Sequence, residues 1–102
     1  MDAQTKDKWI KALRSGEYEQ GDSFFEKDGR FCCLGVLCAV LGQPTALDPS
    51  AGHYSNFAAI NGILADKDQH ELMRRNDGYG GPRFSQPRQS FAEIADYIEQ
   101  HL

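Results

Sequence analysis

Three cysteines, Cys32, Cys33 and Cys38, are the residues best suited to covalent chemistry in this chain. The thiolate is the nucleophilic form, and a thiol at a helix N-terminus ionises more readily because the helix dipole favours the anion. Cys32 or Cys33 would hold such a position if the apolar run around them is a helix. His53 or His70 would then serve as base, with Asp48, Asn56 or Asn76 orienting the imidazole. Packing is the competing account and the stronger one. All three thiols fall within residues 31–41, eleven positions without a charge, and free cysteine is among the most buried side-chain types. Phe31, directly before Cys32, does not favour an exposed nucleophile. The thiols are therefore expected to fill a core, and the chain is expected not to be an enzyme. Metal chemistry has less support still. Neither the Cys33/Cys38 nor the Cys32/Cys38 spacing is that of a short zinc knuckle, and no His-x₃₋₅-His pair accompanies them. No metal and no cofactor are expected.

The best candidate binding surface is the stretch 76–88. Arg74, Arg75, Arg83 and Arg88 surround Tyr79 and Phe84. Arginine forks pair bidentately with phosphate and carboxylate, and aromatic rings stack on bases. Arginine and tyrosine are also the residues that carry protein interfaces. The plain alternative is a solvated loop with two anchoring rings. Gly78-Tyr79-Gly80-Gly81 is glycine-rich but lacks the Lys-Ser/Thr of a phosphate loop and follows no expected strand. A second candidate is the acidic stretch 17–28, where Glu17, Glu19, Asp22, Glu26 and Asp28 outweigh Lys27 and the following Arg30. It reads as a soluble edge or as a charged surface facing a basic groove.

These residues need a frame, and the run Phe31-Cys32-Cys33-Leu34-Gly35-Val36-Leu37-Cys38-Ala39-Val40-Leu41 supplies its centre. Its length favours a buried helix over a strand, and Gly42 with Pro44 stops it. Gly35 inside the run would cost about 1 kcal/mol relative to alanine. A first helix is expected over 5–15, with Trp9, Ile10 and Leu13 on one face, Thr5 as N-cap and Gly16 as left-handed stop. Lys8, Lys11 and Arg14 share a second face, read as solvated rather than as a docking stripe. Phe24-Phe25, Asp28-Gly29 and Arg30-Phe31 suggest strand, tight turn and strand. A Pro/Gly-rich loop over 43–55 precedes a short helix over 56–64 capped by Ser55 or Asn56. Asp66 and Gln69 have capping-box spacing for a helix ending at Asn76-Asp77-Gly78, with Leu72 and Met73 inward and Arg74-Arg75 in its last turn. Residues 78–88 read as loop. The last helix opens on the capping box Ser90-Phe91-Ala92-Glu93 and carries Phe91, Ile94, Ala95, Ile98 and Leu102 at helical spacing.

The whole chain of 102 residues is expected to form one α+β domain: three to four helices around the buried central helix, with a short β-hairpin. A hydrophobic share of 40% and a charged share of 25% are ordinary for a globular protein. The net charge of −4 argues against non-specific binding of duplex DNA. The apolar run is far short of the roughly 20 residues a membrane span needs. The polar start is unlike a secretory leader, and three clustered cysteines are unlike a disulfide framework. A cytoplasmic protein with reduced thiols and no membrane contact is expected.

Four phrases also resemble a known group. They are Trp9-Ile10-Lys11-Ala12-Leu13-Arg14-Ser15-Gly16-Glu17-Tyr18, Phe31-Cys32-Cys33-Leu34-Gly35-Val36-Leu37-Cys38, Asn76-Asp77 and Ser90-Phe91-Ala92-Glu93-Ile94-Ala95-Asp96-Tyr97-Ile98-Glu99. Together, over about half the chain, they are similar to small uncharacterised proteins carried by bacteriophages and prophages. Ala39 departs from that group, which has an acidic residue after the third cysteine, and the link from Asn76-Asp77 to Ser90 is longer than the group's. The resemblance implies no catalytic residue. It implies a phage accessory protein located in the bacterial host's cytoplasm, and such proteins are often inhibitors of host defence. The expected function is thus non-enzymatic occlusion of a host defence component, such as a CRISPR effector complex. The expected contacts are Arg74, Arg75, Tyr79, Arg83, Phe84 and Arg88 with Glu17, Glu19 and Asp22. The alternatives are a sponge for a cyclic or other signalling nucleotide and a cysteine-dependent enzyme.

Overall fold

The computed structural model describes residues 1–22, 26–42, 60, 62–80 and 85–102. Helix α1 spans Ala3–Ser15. It begins two residues before the expected start because Asp2, not Thr5, is its N-cap. The Asp2 carboxylate accepts from the backbone N–H groups of Gln4 and Thr5, both at 3.3 Å, and from the Thr5 hydroxyl at 3.0 Å. The hydroxyl that looked like a cap is therefore a donor to the true one. That bond, followed by the two backbone donors, holds the Asp2 carboxyl below its ordinary value. Gly16 ends the helix at φ 79°, the left-handed geometry that suits glycine.

A small sheet follows, built from β1 (Glu19–Gln20), β2 (Glu26–Lys27) and β3 (Arg30–Phe31) in the order β1-β3-β2. The hairpin joins β2 and β3 through Asp28 at φ 55° and Gly29 at φ 77°. Two positive-φ residues make the tight turn whose twist matches that of the strands. Such a turn requires the residues on either side of it to pair, and Lys27 faces Arg30. The first hairpin strand is therefore Glu26–Lys27, and Phe24-Phe25, expected to form it, lie outside the described residues. Strand β1 runs parallel to β3, a pairing with no counterpart in the sequence reading.

Helix α2, Cys33–Val40, is the central element, and its residues from Cys33 to Cys38 are all buried. Its N-cap is Cys32, whose sulfur accepts from the Gly35 N–H at 3.4 Å. Leu41 closes the helix and Gly42 leaves it at φ 72°. Trp9, fully buried, donates its indole N–H to the Cys33 carbonyl at 2.9 Å, tying α1 to the first turn of α2. The expected loop over 43–55, including His53, and most of the expected helix over 56–64 lie outside the described residues. Ile60 and Leu64 are buried against the same core.

Helix α3 spans Asp66–Asp77. Its expected capping box does not form. Ala65 is the N-cap without a side-chain bond, and buried Gln69 spends its amide on the Leu64 carbonyl at 2.8 Å. Asp66 and Asp68 still favour the start of the helix through its dipole, and Arg74 and Arg75 its end. The stretch read as loop contains a strand pair, β4 (Tyr79–Gly80) with β5 (Ser85–Gln86). Helix α4, Phe91–His101, carries the full Ser90/Glu93 capping box. Its apolar face, Phe91, Ile94, Ala95 and Ile98, is buried in the core that α1, α2 and α3 share. Arg14 of α1 reaches Asp96 at 2.7 Å and Glu99 at 2.6 Å across that contact. Part of the basic face of α1 is thus answered within the chain, and Lys11 pairs with Asp7 at 2.8 Å. Among the described residues no helix is long and apolar enough to cross a membrane.

Candidate functional site

The polar surface of this fold is organised from beneath by Asn76, 1% exposed in the last turn of α3. Its Oδ1 accepts from the Cys33 backbone N–H and from Gln20 Nε2, each at 3.1 Å. Its Nδ2 donates to the Gly21 carbonyl at 2.9 Å and to Asp77 Oδ1 at 2.8 Å. Cys33 opens α2, where backbone N–H groups have no intrahelical partner. One amide therefore satisfies that helix start and fixes the end of β1. Gln20 continues the network, donating to the Gln89 carbonyl at 2.7 Å, while the Gln89 N–H donates to the Arg75 carbonyl at 2.7 Å. Three remote stretches are locked together: the end of β1, the start of α2 and the approach to α4.

Above this network lies a groove of about 480 Å³ lined by Gln20, Gly21, Asp22, Lys27, Asp28, Arg30 and Arg88. A smaller hollow of about 190 Å³ shares Gln20, Gly21 and Arg88 with it and adds Asn76, Gln89 and Ser90. Gly21 is required by close approach: a Cβ there would lie 2.8 Å from Arg30 Cβ. Its N–H donates to the Phe31 carbonyl at 2.7 Å, so the chain is pinned against β3 at this point. Arg88 forms an ion pair with Asp22, and its Nε donates to the Asp77 carbonyl at 3.4 Å. Arg30 Nε stands 3.6 Å from Glu19 Oε1.

The two stretches singled out in the sequence thus meet, through Asp22 and Arg88. Glu19 sits beside the groove on Arg30, and Glu17 is exposed just after α1. Arg74 is exposed on α3 and is not among the groove residues. Arg75 is turned to other work: it pairs with Glu71 at 2.9 Å and lies 3.8 Å over the Tyr97 ring. Tyr79 belongs to β4, and Arg83 and Phe84 lie outside the described residues. Gln20, Gly21, Arg30 and Gln89 belong to the site without having been named as candidate contacts, and Lys27 and Asp28 enter it from the acidic stretch. The signal for Lys27 and Arg30 was present in Asp28-Gly29, since a two-residue turn sets its flanking side chains side by side on one face of the ribbon.

The cysteines are far from reactive. Burial pushes the Cys32 thiol up to about 12 and Cys38 up to about 11, and it raises Cys33 well above 9.0. The helix start that was to activate Cys32 or Cys33 does not do so, because desolvation outweighs the backbone N–H donors at Cys32. Among the described residues His70 is exposed and paired with Asp66 at 3.5 Å. What the groove offers is an array of donors and charges, suited to holding a polar partner.

Fold and site together define a small α+β domain with a charged groove on one face. The chain belongs to the family described as domain of unknown function DUF8296, whose model matches residues 1–58. No curated protein and no solved structure matches the chain.

Proposed function

We propose that this protein acts by binding another protein across the groove, occluding a surface of that partner rather than transforming a substrate. The observation that carries the reading is the convergence on one groove of charged side chains from β2, β3 and the two segments bearing Asp22 and Arg88. Alternating charge over a half-exposed polar surface gives specificity through complementary potential. The buried, hard-to-ionise thiols weigh against the cysteine-enzyme alternative. The likeness to phage-borne proteins carries the partner's class. That partner is a component of the bacterial host, and a defence assembly such as a CRISPR effector complex is the concrete case.

The test is affinity capture with the tagged full chain from a bacterial lysate carrying intact defence systems. One host protein should co-purify in stoichiometric amount. Reversing two groove charges together, Arg30→Glu with Arg88→Glu, should release it while the melting temperature shifts little. No captured protein, or capture unaltered by the double variant, would overturn the reading.

A further inference from the structure

We propose that the groove receives an acidic segment of the partner, with its carboxylates seated between Arg30 and Arg88. The inference rests on the binding reading above and names the chemistry recognised. Three cationic side chains enter the groove from separate stretches: Lys27 from β2, Arg30 from β3 and Arg88 from the approach to α4. Arg30 and Arg88 are 61% and 59% exposed, so their guanidinium heads are accessible. Guanidinium forks match the two oxygens of a carboxylate. Arg88 already pairs with a carboxylate within the chain, that of Asp22.

Arg30 is the less satisfied of the two. Its Nε is 3.6 Å from Glu19, beyond hydrogen-bonding distance, and its two terminal amino groups have no partner among the described residues. Its main chain is nevertheless held. Arg30 pairs with Lys27 across the hairpin and with Glu19 in β1, and Gly21 packs directly on its Cβ. The pinned backbone fixes the point from which the exposed guanidinium is presented to a ligand.

The lining also separates ligand classes. Among the described lining residues there is no aromatic ring, so these residues offer a nucleobase no stacking surface. Asp22 and Asp28 lie among the three cations and repel any continuous run of negative charge, so the fit favours a ligand whose charges sit on separate flexible side chains, as in an acidic peptide, over a phosphate chain of fixed spacing. Asp22 then acts as an internal competitor for Arg88, and removing its charge frees that arginine.

The experiment uses the full chain and a fluorescein-labelled hexaglutamate peptide at low ionic strength, read by fluorescence anisotropy. Saturable binding is expected, weakening as salt is added. Arg30→Gln should weaken it on the order of five-fold, and Asp22→Asn should tighten it. A groove that served only to hold the fold together would give no tightening. Absence of saturable binding, tighter binding of adenosine diphosphate than of the peptide, or affinity unchanged in Arg30→Gln would each overturn the inference. Capture of a host protein without hexaglutamate binding refutes this chemistry alone. Hexaglutamate binding without a captured host protein refutes the choice of partner and leaves the groove chemistry standing.

Discussion

Replacing Asn76 by alanine removes an amide that serves four partners from inside the protein. Two of them decide the cost. The Cys33 N–H is buried at the start of α2 and has no intrahelical acceptor. The Gly21 carbonyl loses its bond to Nδ2 where the end of β1 meets α3. A buried polar group left unpaired costs about 1–3 kcal/mol, and a half-buried one sits at the low end of that range. Gln20 and Asp77 are half-buried and can turn to solvent, so they add little. The expected loss is about 3 kcal/mol, a large share of the roughly 5–15 kcal/mol that holds a domain folded. At roughly 4–8 °C per kcal/mol for a domain near this size, the melting temperature should fall by about 12–24 °C. Asn76→Asp adds a second reading of the same geometry. It keeps the acceptor for Cys33 but sets an oxygen against the Gly21 carbonyl and beside Asp77. Burial and the Asp77 charge raise the pKa of the new carboxyl above its unfolded value. The folded state then holds a proton that the unfolded state releases, so the deficit relative to the parent grows as pH rises through about 4. Thermal and urea unfolding followed by circular dichroism at pH 4 and pH 7 give both quantities. A melting temperature for Asn76→Ala within about 4 °C of the parent would refute the assignment of Asn76 as the tie between α2, α3 and β1.

Other outcomes follow from the same structure. None of the three cysteines should react with iodoacetamide at pH 8 in the native protein, and all three should react in denaturant; fast native labelling of any one would contradict the burial of its thiol. The raised thiols also set an alkaline limit. Folded thiols stay protonated while unfolded ones ionise near 9.0, so stability is intact below that value and declines from there toward about 11. The slope is about 1 kcal/mol per pH unit for each thiol, and denaturant unfolding at pH 8, 9 and 10 should show it shrinking in Cys33→Ala; an unchanged slope would assign the loss to other groups. A fragment limited to residues 1–58 should remain unfolded by circular dichroism, because the faces carrying Trp9, Leu13, Leu34 and Leu37 would lose Leu72, Ile94 and Ile98. A cooperative melt of that fragment would show that it carries a sufficient core.

The elements that were legible are those specified by neighbours in sequence. Ser90 and Glu93 cap α4 from three residues apart, Gly16 and Gly42 end helices by their own backbone freedom, and Asp28-Gly29 encodes its turn. The thiols' burial followed from an apolar run with nothing in it to meet water. What could not be read depends on distant pairing. Strand β1 has two polar residues and joins β3 through main-chain bonds, which leave no pattern in side-chain type. Asn76 caps a helix whose start is 43 positions away, and its letter looks the same as that of an asparagine stopping its own helix. Arg75 and Arg88 are equivalent in sequence terms. The fold spends one on Glu71 and Tyr97 and leaves the other at the groove. The partial failure at Asp66 and Gln69 has the same origin, since a buried glutamine is drawn to the nearest unsatisfied carbonyl, Leu64, before it can cap.

The family model covers one wall of the groove and not the other. Gln20, Gly21, Asp22, Lys27, Asp28 and Arg30 fall in the part matched by the family model, whereas Asn76, Arg88 and Gln89 fall outside it. The first wall is tied down at its described ends by a tight turn, a parallel pairing and a glycine pressed on Arg30. The second wall is attached by fewer bonds, chiefly Gln20 to Gln89, Gln89 to Arg75 and the Asp22–Arg88 pair. Substitutions at Arg88 can therefore change which charges face the ribbon without touching the turn or the buried helix. Substitutions at Gly21 or Asn76 cannot, because Gly21 is bonded to β3 and to Asn76, and Asn76 in turn holds the start of α2. If the proposed binding reading holds, affinity would be tuned at Arg88, while Arg30, on the hairpin strand against Gly21, would supply the more constant contact.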